Sequence, residues 1–290
     1  AAGVESDHEV FELDEAHEKR QKGMWVFLRQ GSVSQDLVRL LPTVVSHGTT
    51  ATSFCTDDRE PDLLRDEGHL NHCIRLAVES GLSVIDALCV ASYYPAQYHN
   101  FFHLGSLGPG YQADVVVFEK LEGFVPSLVL QKGRVVARNG KIVEGIVPET
   151  SPPASLYNRI NLHHLPTPAE LTIEPPTSGM ANVIGVKSGT VRTHAMKLNV
   201  TDPSIDIARI AVVERHKATG RIGLGYLSGY GMTRGAIAST VAHDAHNIMV
   251  VGARDETGPA DMAVAIARVA ELGGEQVVVL DGKVIDEIAL

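Results

Sequence analysis

In the first part of the chain, short apolar runs alternate with stretches that have helical periodicity. The apolar runs lie before His8, at 24–28 and before Asp57, and each has the length of one β-strand. Helix-favouring stretches ended by glycine or proline lie between and after them, at 13–22, 35–41, 62–82 and 83–95. Strands and helices alternating at this spacing predict an α/β fold with a parallel sheet.

The second part of the chain predicts two further units. Apolar runs between 115 and 143, with a hairpin turn at Asn139-Gly140, predict a small β unit. The stretch 148–176 is rich in Pro, Thr and Ser and predicts a linker or an extended strap. Beyond it, several strands and one clear helix at 259–272 predict a separate α/β domain.

The composition indicates which kinds of molecule this chain binds. The 290 residues include 35 acidic and 25 basic side chains, a formal net charge of −10, which argues against binding to nucleic acid or to an anionic membrane. Hydrophobic residues make up 44%, as in packed globular proteins, and no apolar run is long enough for a membrane span. Three irregularly spaced cysteines favour a reducing, cytoplasmic location. A small-molecule substrate is therefore expected.

Two strand ends carry the side chains of a candidate metal site. His8 stands between two acidic residues where the first apolar run ends, and Asp57 and Asp58 follow the run at 52–56. The carboxyl ends of parallel strands meet at one edge of a sheet, and imidazole with carboxylate suits a metal that activates water. The alternatives are a capping or core histidine at position 8 and an exposed turn with a salt bridge at 57–59.

Two other polar clusters are weaker candidates for a functional site. Glu67 and His69 follow the second strand end by about one helical turn, and they either line a pocket or form an exposed polar face. His243, Asp244 and His246 have a spacing that could bind a metal, although hydrogen-bonded loop histidines account for it equally well.

Taken together, these motifs show that the chain resembles the bacterial adenine deaminases of the amidohydrolase superfamily. The likeness rests on six segments in this order: 5–9 (ESDHE), 54–59 (FCTDDR), 67–69 (EGH), 107–114 (LGPGYQAD), 213–217 (VERHK) and 242–247 (AHDAHN). The combination is specific and runs through nearly the whole chain. The Pro-Gly-Tyr-x-Ala-Asp element alone resembles only a general amidohydrolase feature.

The resemblance implies the C-terminal part of a (β/α)8 metal-dependent hydrolase barrel. In that scheme His8 is the histidine at the end of barrel strand six, and Asp57 is the strand-eight aspartate that takes a proton from water. Asp58 is the fallback for that role. The complete centre would hold two divalent metal ions, Mn²⁺ or Fe²⁺. The implied candidates for the substrate pocket are Glu9, Arg59, Glu67 and His69.

The implied reaction converts adenine and water to hypoxanthine and ammonia by metal-activated hydroxide, a step of purine salvage or adenine catabolism. The resemblance also implies a homo-oligomer, with neither nucleic acid nor membrane as a partner. It divides the chain into a partial barrel at 1–104, a segment of a composite β-sandwich at 105–147, a linker at 148–176 and a C-terminal α/β domain at 177–290.

Several family features have no counterpart in this sequence. The His-x-His pair of the first barrel strand, the strand-four carboxylate and the strand-five histidine are missing, so the chain is expected to be an incomplete copy that is inactive alone. The alternatives are a non-catalytic remnant, one half of a split protein that acts through its C-terminal domain, and another amidohydrolase such as an imidazolonepropionase-like or dihydroorotase-like enzyme.

Overall fold

The chain divides into two compact units, Ala1–Glu149 and Thr150–Leu290. The structure, a computed structural model, describes residues 3–146, 150–157, 160–188 and 190–289. None of the helices within these ranges combines the length and the apolar character that crossing a bilayer requires. The finer domain limits expected from the sequence stay predictions.

The first unit begins with a three-stranded parallel sheet. Its strands are β1 (Ser6–Asp7), β2 (Trp25–Arg29) and β3 (Thr52–Cys55), in the order β1-β2-β3. Both neighbouring pairs run parallel, which confirms the predicted class of sheet. β2 is the central strand, and the side chains of Val26 and Leu28 are fully buried in the core of this unit.

Short helices lie between and after these strands. Their bounds are α1 (Leu13–Gln21), α2 (Leu37–Leu40), α3 (Pro42–His47), α4 (Pro61–Asp66), α5 (Leu70–Glu79), α6 (Val84–Leu88) and α7 (Tyr94–Tyr98), with a π-helical turn at Cys89–Tyr93 before α7. Ser83 caps α6 as the sequence predicts, because its Oγ accepts a hydrogen bond of 3.1 Å from the Asp86 amide.

Two predicted helix limits were wrong, and one helix was not predicted. The helix expected at 62–82 is two helices, because Gly68 has a φ of 102° that breaks the backbone between α4 and α5. The helix expected at 35–41 ends before Pro42 as predicted, but Pro42 then starts the unpredicted α3, since its fixed φ suits a first helical turn. Pro95 lies in the first turn of α7, where a missing amide is tolerated, so the helix runs on to Tyr98.

A four-stranded antiparallel sheet completes the first unit. It contains β4 (Val115–Phe118), β5 (Pro126–Gln131), β6 (Arg134–Arg138) and β7 (Lys141–Ile142), in that order. The predicted hairpin turn joins β6 and β7: Asn139 has φ 48° and Gly140 φ 74°. Two consecutive positive φ angles match the twist of a tight hairpin.

The second unit is built on an eight-stranded sheet with one long helix. The sheet order is β15-β14-β12-β13-β10-β11-β8-β9, and all neighbours are antiparallel except β8 and β11. The strands are β8 (Met180–Val186), β9 (Thr193–Asn199), β10 (Ala208–Val213), β11 (Ile222–Ser228), β12 (Ala236–Ser239), β13 (Ile248–Ala253), β14 (Glu275–Leu280) and β15 (Lys283–Ala289). The helix α8 (Gly258–Leu272) packs on β12, β13 and β14. The sequence pattern predicts the helix but neither β11, whose glycine-rich start predicts tight turns instead, nor β12.

The segment before β8 packs against this unit in its described part. Leu171, in a 3₁₀ turn at Ala169–Leu171, is fully buried in the core between the sheet and α8. The Tyr226 hydroxyl donates to the Ile173 carbonyl at 3.3 Å, and the Asn161 amide donates to the Arg215 carbonyl at 2.7 Å. These contacts favour the extended strap over a free linker.

We predict that Leu171→Ala destabilises the second unit by about 2–5 kcal/mol, because it removes a buried side chain and leaves a cavity. The measurement is urea unfolding followed by circular dichroism. Leu165→Ala is the matched control, since Leu165 lies in the same segment and is 53% exposed. Equal stability of the two variants would mean that the strap is not part of the folded core.

Candidate metal centre

The parallel pairing of β1, β2 and β3 brings three strand ends together. In the register, Asp7 lies opposite Val26 and Arg29 lies opposite Cys55. His8 and Glu9 directly follow β1, and Asp57 follows β3 after one intervening residue. The carboxyl edge of the sheet therefore carries these side chains, as the alternation of strands and helices predicts.

His8, Glu9 and Asp57 form a group that could hold a metal ion. One ligand atom from each residue lies within 4.8 Å of the others, and all three residues are exposed. His8 Nε2 is 3.6 Å from Glu9 Oε1. In the part of the chain that the structure describes, no other three His, Cys, Asp or Glu side chains meet this closely. An imidazole nitrogen and carboxylate oxygens suit first-row divalent metals.

A buried arginine lies beside this group. Arg29 ends β2, and its side chain is only 3% exposed. Its Nη1 donates to Asp57 Oδ2 at 3.0 Å and also to Glu9 Oε1. Burial acts to lower the pKa of Arg29, but the hydrogen bonds and charges of Glu9 and Asp57 outweigh it and the pKa is raised. Arg29 is therefore a fixed positive charge at the site.

The backbone at Asp57 is unusual for a residue with a side chain. Its φ is 57°, in the left-handed region that aspartate tolerates better than most residues. The chain turns directly after β3 as a result, and Asp57 is placed beside the ends of β1 and β2. Such backbone conformations persist where the surroundings hold them, and they concentrate at functional sites.

Asp7 is not one of the three side chains of the group; it supports the turn that carries two of them. Its carboxylate accepts from Lys19 and from the Glu9 amide, the latter at 2.7 Å. Burial acts to raise the pKa of Asp7, but the hydrogen bonds from Lys19 and the Glu9 amide, together with the charge of Lys19, outweigh it and the pKa is lowered. Asp7 thus fixes the turn that carries His8 and Glu9.

Arg59 holds the loop after β3. It is almost fully buried, its Nε donates to the Gly68 carbonyl at 2.9 Å, and it forms an ion pair with Glu67. Its Nη1 reaches the carbonyls of Gln30 and Gly31 at 3.4 and 3.3 Å. Arg59 therefore ties the loop at Glu67 to the end of β2. Arg29, rather than Arg59, supplies the cation that holds Asp57.

The remaining predicted pocket residues lie around that loop. Thr56 Oγ1 and His69 Nε2 are 3.0 Å apart, and Glu67 Oε2 lies 3.4 Å from His72 Nε2. Burial, followed by the charge of Arg59, lowers the pKa of His69 and favours its neutral form. The structure places Asp58 in the same turn as Asp57, and its carbonyl accepts from the Ser32 amide at 3.0 Å. Asp58 is outside the three-residue group.

The predicted cluster of His243, Asp244 and His246 lies in a loop of the second unit. The rings of His243 and His246 lie 5.1 Å apart, edge to face. His216 Nε2 lies 2.8 Å from the Ala245 carbonyl, and Arg215 Nε donates to the His246 carbonyl at 2.5 Å. His243, Asp244 and His246 do not form a close group of three ligand atoms within the described residues. Their contacts fit hydrogen-bonded loop histidines.

Arg29 is the functional candidate that the sequence argument missed. The signal was present, because an arginine closes an otherwise apolar strand of five residues at 25–29. A cation at that position needs an anionic partner, and the two strand ends beside it are acidic.

Comparisons with known proteins show which families this chain is similar to. Residues 28–151 match the profile of the amidohydrolase family, and residues 186–290 match that of the adenine deaminase C-terminal domain. A protein of Carboxydothermus hydrogenoformans named adenine deaminase 2 is 39% identical, over 100% of this chain and 51% of the relative. An adenine deaminase of Brucella melitensis biotype 1 is 38% identical, over 100% of this chain and 49% of the relative.

Among solved structures, a β-aspartyl dipeptidase of Fervidobacterium islandicum covers 45% of this chain and 38% of its own, with a TM-score of 0.38 and 16% identity. That similarity is too low to support an argument. The chain carries matches to the amidohydrolase family and to the adenine deaminase C-terminal domain, and it is similar along its whole length to curated adenine deaminases. It spans about half the length of the curated relatives it matches.

The loop that carries Arg215 and His216 depends on Glu214. Hydrogen bonds from the amides of Thr219, Lys217 and His216 to this carboxylate lower the pKa of Glu214 from 4.5 to about 2. A carboxylate whose pKa is lowered by folding stabilises the fold above the unfolded pKa, and it loses that contribution as the pH falls through the folded pKa.

We predict that Glu214→Gln loosens this loop at neutral pH, seen as faster hydrogen exchange of the Lys217 and Thr219 amides. The difference from the wild type should shrink between pH 4.5 and about pH 2, where the wild-type carboxylate takes up its proton. Glu256→Gln, at an exposed glutamate of the same unit, is the control. Unchanged exchange in Glu214→Gln would contradict the role of the carboxylate.

Proposed function

We propose that this chain forms part of an enzyme that converts adenine and water to hypoxanthine and ammonia. The observation that carries the proposal is the 39% identity to a protein named adenine deaminase 2 along the whole of this chain. The group of His8, Glu9 and Asp57 supplies side chains that suit metal-assisted hydrolysis. The match at 186–290 favours this substrate over those of other amidohydrolases.

The residues at the strand ends fit a divalent metal ion. His8 offers an imidazole nitrogen and Asp57 a carboxylate oxygen, and these are the two ligands we assign. Each carboxylate has two oxygens, so one can accept from Arg29 while the other binds the ion. Mn²⁺ or Fe²⁺ is the proposed ion. A binuclear centre needs more ligands than this group contains, so we propose that the rest lie elsewhere in the complete enzyme.

The divalent ion, when bound, lowers the pKa of a coordinated water molecule and so supplies the nucleophile near neutral pH. Asp57 accepts a proton from the attacking water and passes it toward the departing amino nitrogen. The water oxygen forms a bond to the ring carbon that bears the amino group, the bond from that carbon to the amino nitrogen breaks, and ammonia leaves. Asp58 is the fallback for the proton transfer.

The proposed place for the purine is beside Glu9 and the loop that carries Glu67 and His69. The carboxylate of Glu9 accepts a hydrogen bond from Arg29, and its oxygens suit the N–H groups of adenine. Glu67 and His69 line the loop next to Thr56, and Arg59 fixes that loop. We therefore propose Glu9, Glu67 and His69 as pocket residues and Arg59 as their support.

We also propose the finer architecture that the family resemblance implies. The three parallel strands would be the last strands of a (β/α)8 barrel at 1–104, the β4–β7 sheet a segment of a composite sandwich at 105–147, and the second unit the C-terminal domain. A homo-oligomer and a role in purine salvage belong to the same proposal.

In the full-length protein that carries these residues, we expect Asp57→Asn to lower kcat for adenine by at least about 10²–10⁴-fold, because the proton acceptor is lost. Metal content, measured by inductively coupled plasma mass spectrometry, should fall much less, since the asparagine oxygen can still act as a ligand. Asp58→Asn is the matched control and should stay close to wild type. The opposite result for the two variants would transfer the role to Asp58.

We expect the isolated 290-residue chain to deaminate adenine no faster than buffer, because three side chains do not complete a binuclear centre. The measurement is ammonia release with added Mn²⁺ or Fe²⁺. Activity restored by mixing with a separately produced N-terminal half would support a split enzyme. Robust turnover by the chain alone would overturn the assignment of missing ligands.

A further inference from the structure

We propose that Arg29 is a positioning residue that fixes Asp57 and Glu9 relative to each other at the carboxyl edge of the sheet. The inference rests on the proposed function for its kinetic consequences. The inference also says that a buried cation aligns a metal ligand with a pocket residue. That part can be tested without measuring enzyme activity.

The position of Arg29 in the sheet makes it suited to this role. It ends β2, the central strand, whereas Glu9 follows β1 on one side and Asp57 follows β3 on the other. One nitrogen, Nη1, donates to both carboxylates. Because β2 is anchored by buried side chains, that nitrogen is a fixed point between two strand ends, and it sets the separation of the carboxylates.

Stability alone does not account for a buried arginine here. Nε and Nη2 are buried and form no hydrogen bond, and Asp36 Oδ2, 4.0 Å from Nη2, is also unsatisfied. Burying a cation with incomplete partners costs several kcal/mol, and an apolar residue of similar volume is often at least as stable. The aromatic ring of Phe11, 5.6 Å from Cζ, offsets part of that cost. A buried charge with unsatisfied hydrogen-bonding groups is unfavourable for stability, and such exceptions are typical of functional sites.

The electrostatics point to the same role. Ligand atoms of Glu9 and Asp57 lie within 4.8 Å of each other, and two carboxylates this close repel. The charge of Arg29 lies against both and offsets that repulsion. Without it, the exposed carboxylates would move apart, and Asp57 would no longer be held in the geometry that the proton transfer needs.

The chain offers a matched control in Arg39. Its side chain is 50% exposed, and it forms an ion pair with Asp36, the residue that approaches Arg29 from the other side. Arg39→Met removes an arginine from the same ionic network but leaves the contacts of Arg29 with Glu9 and Asp57 in place.

The experiment compares Arg29→Met, Arg29→Lys and Arg39→Met in the full-length protein. The first readout is the visible absorption spectrum of the Co²⁺-substituted protein, which reports the geometry of the ligands. The second is kcat and KM for adenine, and thermal unfolding checks the fold. Arg29→Met should shift the Co²⁺ spectrum and lower kcat by about 10²-fold with KM changed only a few-fold, as expected for a misplaced catalytic group. For Arg29→Lys, we expect a spectral shift and a loss of kcat between those of the wild type and Arg29→Met, because lysine keeps the charge without the planar guanidinium group.

Arg39→Met should match the wild type in both readouts. If Arg29→Met does not fold, the Arg29→Lys variant tests the positioning role, since it keeps a buried cation. A folded Arg29 variant with an unchanged Co²⁺ spectrum and unchanged kcat would overturn the inference, as would an equal loss in Arg39→Met. If the wild type fails to deaminate adenine, the proposed function fails, and the Co²⁺ spectra still test the positioning role.

Discussion

The parallel pairing of β1, β2 and β3 is the constraint on which the candidate metal centre depends. Parallel strands end at a common edge, so a histidine after the first and an aspartate after the third become neighbours although β2 and α1–α3 separate them in the chain. The ladder fixes their separation far more tightly than flexible loops would. The buried arginine that ends the middle strand then acts between two anionic neighbours. The register of the three parallel strands therefore determines which side chains meet at this edge.

The sequence predicted the strands of this sheet and the convergence of His8 and Asp57, because apolar runs and strand ends are local features. The roles of these residues stay predictions. Arg29 was missed: its place at the end of an apolar strand is visible in the sequence, but only the pairing of three strands brings its two anionic partners to it. The break at Gly68 was missed for a related reason: the apolar spacing of 62–82 is helical throughout, and only the backbone conformation of one residue interrupts it.

The family likeness of this chain and its function rest on different observations. The 39% identity runs along the whole chain, and two profiles match successive parts of it. The activity, in contrast, is a proposal, and the described residues that support it are the three side chains at the carboxyl edge of the first sheet. The metal group and its arginine lie in the first unit, whereas the segment 242–247, one basis of the family likeness, lies in the second. The family likeness is therefore spread over both units, while the chemistry that the described residues support is concentrated in one.

The single parallel pair of the second unit has a consequence for synthesis. β8 and β9 form an antiparallel pair that is complete at Asn199, but β8 also needs β11, which ends about 30 residues later. At ribosomal rates of about 5–20 residues per second, that pair waits about 1.5–6 s for its neighbour. A lone pair of strands is marginally stable in water, and the apolar side chain of Val183 stays uncovered meanwhile. The order of the strands in the chain therefore leaves this apolar surface exposed until β11 has been made.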